Sequence, residues 1–232
     1  MIRTGLLISI AGAVLLLAGP VGTRAGLWPF FVGFALLAFS LLLGLVGASL
    51  SLVAAFKTGQ WPIAVVGIVV GLAVVSVPSA LVLSARGAPP IHDITTDPDD
   101  PPPFVAILPL RASAANPPEY SGAEVTEQQR RAYPDIQPLL LQADPRQAFD
   151  RASAVVRDLG WEVVAMDRES GRIEAVDTTF WFGFKDDVVL RVRGTPTGTR
   201  IDIRSKSRVG RGDIGTNARR VRELLRRLQT AS

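Results

Sequence analysis

The sequence predicts a three-helix transmembrane region followed by an α+β domain. In that domain a helix, a four-stranded antiparallel meander and a second helix form a two-layer sandwich. Three observations predict it. Three long apolar runs fill the first 85 residues, and no acidic residue precedes Asp93. Nine prolines then crowd the stretch 88–120. Beyond it, two amphipathic helical patterns bracket four short runs in which apolar and polar residues alternate. The expected organisation is a membrane region over 1–86, a Pro-rich tether over 87–130 and a soluble domain over 131–232.

The first apolar run lies between Arg3 and Arg24, the second ends at Lys57 and the third at Arg86. Spans are expected at about 5–22, 27–56 and 62–84, since a crossing helix needs about 20 mostly apolar residues. Thr23-Arg24-Ala25 is a poor cleavage site, so the first run is read as a retained span. Trp28, Phe30, Phe31 and Trp61 suit the membrane interface. Gly67 and Gly71 form a G-x-x-x-G pattern, read as packing among the three spans in preference to a dimer seam. No ionisable residue lies inside a run, which argues against an ion or proton pathway.

The chain has no cysteine, so disulfides and thiolate metal sites are excluded. Its net charge of +4 invites a nucleic-acid reading. The distribution opposes it, because +3 of that charge belongs to Arg3, Arg24 and Lys57 at the membrane. Residues 86–187 carry 10 basic and 18 acidic groups, and residues 188–232 carry 12 and 3. The two halves are read as folding together and neutralising each other, with a surface for anions as the alternative.

Pro89-Pro90 and Pro101-Pro102-Pro103 favour extended polyproline geometry, hence a stiff tether. His92 with Asp93, Asp97, Asp99 and Asp100 is a weak metal-ligand set on such a chain, and turns at Asp97-Pro98 are the preferred reading. In the soluble part, 145–159 reads as a helix, capped by Asp144, opened by Pro145 and stopped by Gly160. Strands are expected at 161–166, 172–177, 188–192 and 201–203, with a further short strand at 136–141. A last helix is expected over 214–228. Val188, Leu190, Val192, Ile201 and Ile203 then face the helices. Arg191, Arg193, Asp202 and Arg204 point the other way, as a solvated or docking face. Phe180, Trp181, Phe182 and Phe184 sit between strands; core packing is the preferred reading, with an exposed remainder touching lipid or a partner as the alternative.

The densest polar stretch joins the last strand to the last helix. Arg204, Ser205, Ser207, Arg208, Arg211, Asp213, Asn217 and Arg220 are its candidate anion- or partner-binding residues, because glycines expose backbone amides there and arginines clamp anions. The competing reading is a capped corner with its arginines paired to Asp177, Asp186 or Asp187. Those three carboxylates are also the candidates for acid–base chemistry. The sequence holds no P-loop, dinucleotide fingerprint, G-x-S-x-G or H-E-x-x-H motif. The single histidine lies in the expected tether, and no cofactor or metal is implied.

Several segments together carry a family resemblance. They are Pro90-Ile91-His92-Asp93-Ile94-Thr95-Thr96-Asp97 with Pro101-Pro102-Pro103-Phe104, Arg172-Ile173-Glu174-Ala175, Phe182-Gly183-Phe184 with Asp186-Asp187-Val188, and 204–210 with Asp213, Gly215, Asn217 and Arg220. Over most of 89–228 the chain resembles the uncharacterised bacterial family known as domain of unknown function 1499. The resemblance implies a multi-pass inner-membrane protein with its N-terminus in the cytoplasm and a periplasmic C-terminal domain. It brings no activity or catalytic residue. The expected partners are the lipid bilayer and a protein or anionic envelope ligand, and not nucleic acid. The expected function is an envelope-facing binding domain. The alternatives are an envelope enzyme using Asp and Arg chemistry, or a structural subunit of a membrane complex.

Overall fold

The structure, a computed structural model, describes residues 2–230. The chain divides into two compact units. One holds the chain as far as Arg86 together with Phe180–Gly183, and the other holds Gly87–Thr179 and the chain from Phe184 onward.

In the first unit, α1 (Ile2–Arg24), α2 (Phe30–Thr58) and α3 (Trp61–Ala85) are each long and apolar enough to cross a membrane. The second helix starts at Phe30 because Pro29 is extended, at φ −68° and ψ 157°. It ends at Gly59, whose φ of 69° is the left-handed cap that glycine supplies without a Cβ clash. Hydrophobicity cannot select one helix arrangement in lipid, so close packing of small residues must do so. Gly5, Ser9, Gly12 and Gly19 of α1 and Gly33, Ser40, Gly44 and Gly47 of α2 are buried. A Cβ at Gly44 would lie 2.8 Å from the Gly71 carbonyl oxygen, and one at Gly19 would lie 2.7 Å from that of Gly33. Ser9 donates to the Gly67 carbonyl at 2.8 Å. Gly67 and Gly71 therefore serve packing within the three-helix unit.

The second unit is an antiparallel sheet covered by helices. Its strands are β1 (Asp93–Thr95), β2 (Leu139–Leu141), β3 (Glu162–Asp167), β4 (Arg172–Thr178), β5 (Lys185–Thr195) and β6 (Gly198–Ser207). Their order is β1-β6-β5-β4-β3, and β2 also pairs with β6. The expected meander is therefore present as β3 to β6, inside a sheet of six strands and not four. Both extra strands sit along β6, with Asp93 opposite Lys206 and Leu139 opposite Ile201. β2 lies within the short strand expected at 136–141, whereas β1 was hidden by its shortness and its place among prolines: three residues carry no readable alternation.

Helix α5 (Pro145–Asp158) starts as its sequence dictates, with the Asp144 carboxylate accepting from the Arg146 amide at 2.8 Å. Its Phe149, Ala152, Val155 and Val156 pack with Val221, Leu224 and Leu228 of α6 (Thr216–Thr230) against Val188, Leu190, Val192, Ile201 and Ile203. Helix α6 begins after the expected position. Ile214 stays outside it at φ 56°, 38% exposed.

The opposite face of the sheet is not open. Residues 91–111, expected as part of a tether, supply edge strand β1 and then cover this face. Ile91 and Ile94 enter the main core, and Phe104 and Ile107 form a second cluster with Val176 and Val189. Prolines fit the stretch 98–103 because extended chain needs no internal hydrogen bonds, and the segment, a strap over the sheet, ends in a 3-10 turn, Leu108–Arg111. Helix α4 (Ala123–Ala132) completes the edge. Its buried Gln129 accepts from the Thr95 amide at 3.0 Å and donates to the Thr95 carbonyl at 2.6 Å, as a neighbouring strand would. The four aromatics of 180–184 join neither hydrophobic cluster. Phe180 is 76% and Trp181 57% exposed, against the expectation of core.

Gly44→Leu should cost about 1–3 kcal/mol by overpacking the helix contact. It should lower the melting midpoint of the detergent-solubilised protein, whereas Leu45→Ala, at an exposed position of α2, should shift it far less.

Candidate functional site

Strand alternation sends the charged residues of β5 and β6 to the face that the strap covers. Each buried carboxylate there meets cations or amides. Asp202 accepts from Arg191 at 3.0 Å, Arg193 at 2.8 Å and Arg200 at 2.7 Å. Asp93 of the strap takes Arg204 in a two-pronged bond of 2.9 and 2.8 Å and lies 3.0 Å from the Lys206 ammonium. Burial holds the Lys206 pKa below the usual lysine value, against the opposing pull of Asp93. Asp187 is shared by Arg111 of the strap and Arg208. Glu174 accepts from three successive strap amides, those of Val105, Ala106 and Ile107, at 3.1, 3.0 and 2.9 Å. Its other neighbour is the Arg172 Nε at 3.0 Å, outside hydrogen-bonding geometry. The face expected to be solvated or free for docking is thus internal: Asp202 is fully buried and Arg204 is 2% exposed.

The corner between β6 and α6 divides its candidate residues among different neighbours. Ser205, Ser207, Asn217 and Arg220 come together on the helix side. Ser205 donates to Asn217 Oδ1 at 2.6 Å, and Asn217 Nδ2 donates to Ser207 Oγ at 2.9 Å and to the His92 carbonyl at 3.1 Å. Arg220 uses all three of its nitrogens. Nε and Nη2 reach Asp177 at 2.9 and 2.7 Å, Nη2 also reaches Asp186 at 2.7 Å, and Nη1 meets Asn217 and Ser205. That makes five hydrogen bonds for the five N–H groups of a guanidinium, so nothing remains for an outside anion. Arg204 and Arg208 lie on the other face, on Asp93 and Asp187. Arg211 is exposed, and among the described residues only its carbonyl is engaged, facing His92 Nδ1 at 3.2 Å.

The three candidate carboxylates do not form one cluster. Asp177 and Asp186 are register partners across β4 and β5 and share Arg220. Asp187 is the next residue in the strand, so it points to the opposite face. Asp213 accepts from the Gly215 and Asn217 amides at 2.8 and 2.6 Å, which makes it the cap of α6. Burial raises its pKa above the usual aspartate value, although these amide bonds favour the charged form.

Sequence reasoning missed Arg111 and Gln129, and it named Asp93 and Glu174 without showing that they hold the strap to the sheet. The readable signal was the opposite charge of the two halves, which is realised here as ion pairs between strap and sheet. The open concavity of the domain is elsewhere. A groove of about 460 Å³ lies at the end of α4, lined by Asp97, Asp99, Arg130, Tyr133, Gln137 and Arg200 among others. A second, of about 420 Å³, shares Pro98, Asp99 and Arg130 with it. The Asp99–Arg130 pair between them, at 2.8 Å, is exposed on both partners.

These features define a class: an α+β domain, sealed by buried ion pairs, on a chain with three candidate membrane spans. The family model for a protein of unknown function, DUF1499, matches residues 93–228, more than half of the chain, and the chain belongs to that family. No curated protein matches it in sequence.

Removing Asp187 strands two arginines, one of them almost fully buried. Asp187→Ala should therefore cost about 3–5 kcal/mol in chemical denaturation. Arg211→Ala should stay within about 0.5 kcal/mol of the parent. Asp213 generates a pH dependence. Its folded carboxyl keeps its proton to higher pH than the unfolded one. Stability is therefore lost as pH rises from the ordinary aspartate pKa of about 3.9 to the raised folded value. Asp213→Asn keeps an acceptor at the cap and should flatten that part of the pH–stability curve.

Proposed function

We propose that the protein is a membrane-anchored recognition module of the bacterial envelope. In this reading it sits in the inner membrane with its soluble domain on the periplasmic side, and the groove beside Arg200 receives a segment of a partner protein. The observation that carries the reading is the closure of the charges. Among the described residues, each buried carboxylate of the domain, Asp93, Glu174, Asp186, Asp187 and Asp202, is bonded to an arginine, a lysine or backbone amides. A general acid or base must be within reach of a substrate proton, and these groups are committed to the fold. The same closure disfavours the corner as an anion site.

The open grooves have the character of a protein-binding surface. Small-molecule sites are concave and mostly apolar. Here both charge signs line an open polar depression, and Pro98, Pro134 and Pro138 give it a stiff rim. The exposed Asp99–Arg130 pair is able to exchange its partners for those of an incoming chain, which favours register and selectivity over raw affinity. Membrane anchorage supports the envelope location. The family resemblance supports the outward orientation, since three spans put the domain opposite the N-terminus.

Two measurements test this. Alkaline phosphatase fused after Ser232 should be active in cells, as it is only outside the cytoplasm; an inactive fusion with normal expression would refute the orientation. A photo-crosslinking residue at Gln137 should trap a defined partner in cells, while the same residue at Arg226, on exposed α6 surface, should not. Arg130→Glu should reduce the adduct roughly tenfold, the equivalent of about 1.4 kcal/mol. Equal trapping at both positions, or at neither, rejects the groove.

A further inference from the structure

The two grooves of the soluble domain flank a single ion pair. Pro98, Asp99 and Arg130 line both of them, so they are two lengths of one trench, crossed by the Asp99–Arg130 pair. One wall is the segment 96–99 that follows β1, and the other is α4. Both walls are fixed from behind. Gln129 of α4 bonds to the Thr95 amide at 3.0 Å and to its carbonyl at 2.6 Å. Asp97 accepts from the Asp100 amide at 3.1 Å and is paired with Arg200. The crossing pair is different. Arg130 reaches both Asp99 oxygens through Nη2 alone, at 2.8 Å, and the two side chains are 56% and 79% exposed. An exposed pair of this kind contributes about 0.2–1 kcal/mol. Opening it costs little, and it leaves fixed walls and two opposite charges without partners.

Backbone chemistry selects the conformation of an occupant. Pro98, Pro134 and Pro138 of the lining carry no N–H. The edge of β1 at Thr95 is already taken by the Gln129 amide. The trench therefore offers a poor ladder to an incoming β-strand. A polyproline II chain asks for none, because its backbone stays solvated. Each length of the trench also holds one tyrosine, Tyr120 in one and Tyr133 in the other, both partly buried. Aromatic-lined grooves are what extended proline-rich segments dock into. Helix α4 has 10 residues, about 15 Å at its rise per residue, a length that roughly five residues of polyproline II cover.

We infer that the trench takes an extended, proline-containing peptide segment that sets one basic residue on Asp99 and one acidic residue on Arg130, in place of their bond to each other. This rests on the reading of the groove as a partner site, and it adds the conformation and the charges of what enters.

The full chain in phosphatidylcholine nanodiscs is titrated with fluorescent peptides and read by anisotropy, with empty discs as the blank. The probes are Pro-Pro-Arg-Glu-Pro-Pro, the same peptide with valine for every proline, and Pro-Pro-Arg-Arg-Pro-Pro. The first should bind several-fold more tightly than the other two. Arg130→Glu leaves two carboxylates across the trench, so it should reverse the charge preference in favour of the two-arginine peptide. The same charge change at Arg131, which lines neither groove, should leave the order of preference as it is. A valine peptide that binds as tightly as its proline counterpart overturns the inference. So does a preference unmoved by Arg130→Glu, or moved equally by Arg131→Glu, and so does the lack of saturable binding by any of the three. If Gln137 still traps a partner in cells after such a result, the groove stands as a partner site and only this account of its occupant falls. Peptide binding as expected with no trapping in cells rejects the cellular partner and upholds the chemistry.

Discussion

The buried ion pairs on the outer face of β5 and β6 are the constraint on which the soluble domain depends. A sheet face carrying Arg191, Asp202, Arg204 and Lys206 is stable in water, but once covered it must find a partner for every charge, because an isolated buried ion costs several kcal/mol. The strap meets that demand residue by residue: Asp93 for Arg204 and Lys206, Arg111 for Asp187, and three amides for Glu174. Burying such pairs adds little net stability over an apolar face. What they supply is position. Beyond β1 the Pro-rich segment has no ladder to place it, and the bonds of Arg111 to Asp187 and of three amides to Glu174 specify where it lies.

The membrane region solves the complementary problem. Its helices are apolar all round, so burial cannot distinguish one face from another in lipid. Glycine and serine faces decide the contacts by letting backbones approach. Gly44 against Gly71 and Gly19 against Gly33 leave no room for a methyl group. One half of the protein is thus specified by the absence of side chains and the other by charge pairing.

This division bears on function. Charges committed to holding the strap are not free for chemistry, and the corner that resembles an anion site is filled by the protein's own Asp177, Asp186 and Asp187. What remains available is peripheral: a polar groove near Arg200.

Much of the fold was legible in the residues. Three acid-free runs determined the candidate spans, Asp144-Pro145 and Gly160 bounded α5, and the alternation of Val188, Leu190, Val192, Ile201 and Ile203 determined the helix-facing side of the meander. The opposite charges of 86–187 and 188–232 already implied that the halves neutralise each other. Tertiary structure alone decided which charge meets which. Asp186 and Asp187 are adjacent in sequence yet serve opposite faces, and Glu174 is sealed by amides about seventy residues away. Proline content describes how stiff a segment is but not what it lies against, so 91–111 read as a tether until long-range contacts made 93–95 a strand and the rest a cover. Local pattern carries periodicity and capping. The partners of buried charges are set by contacts between residues distant in the chain, and no local pattern encodes them.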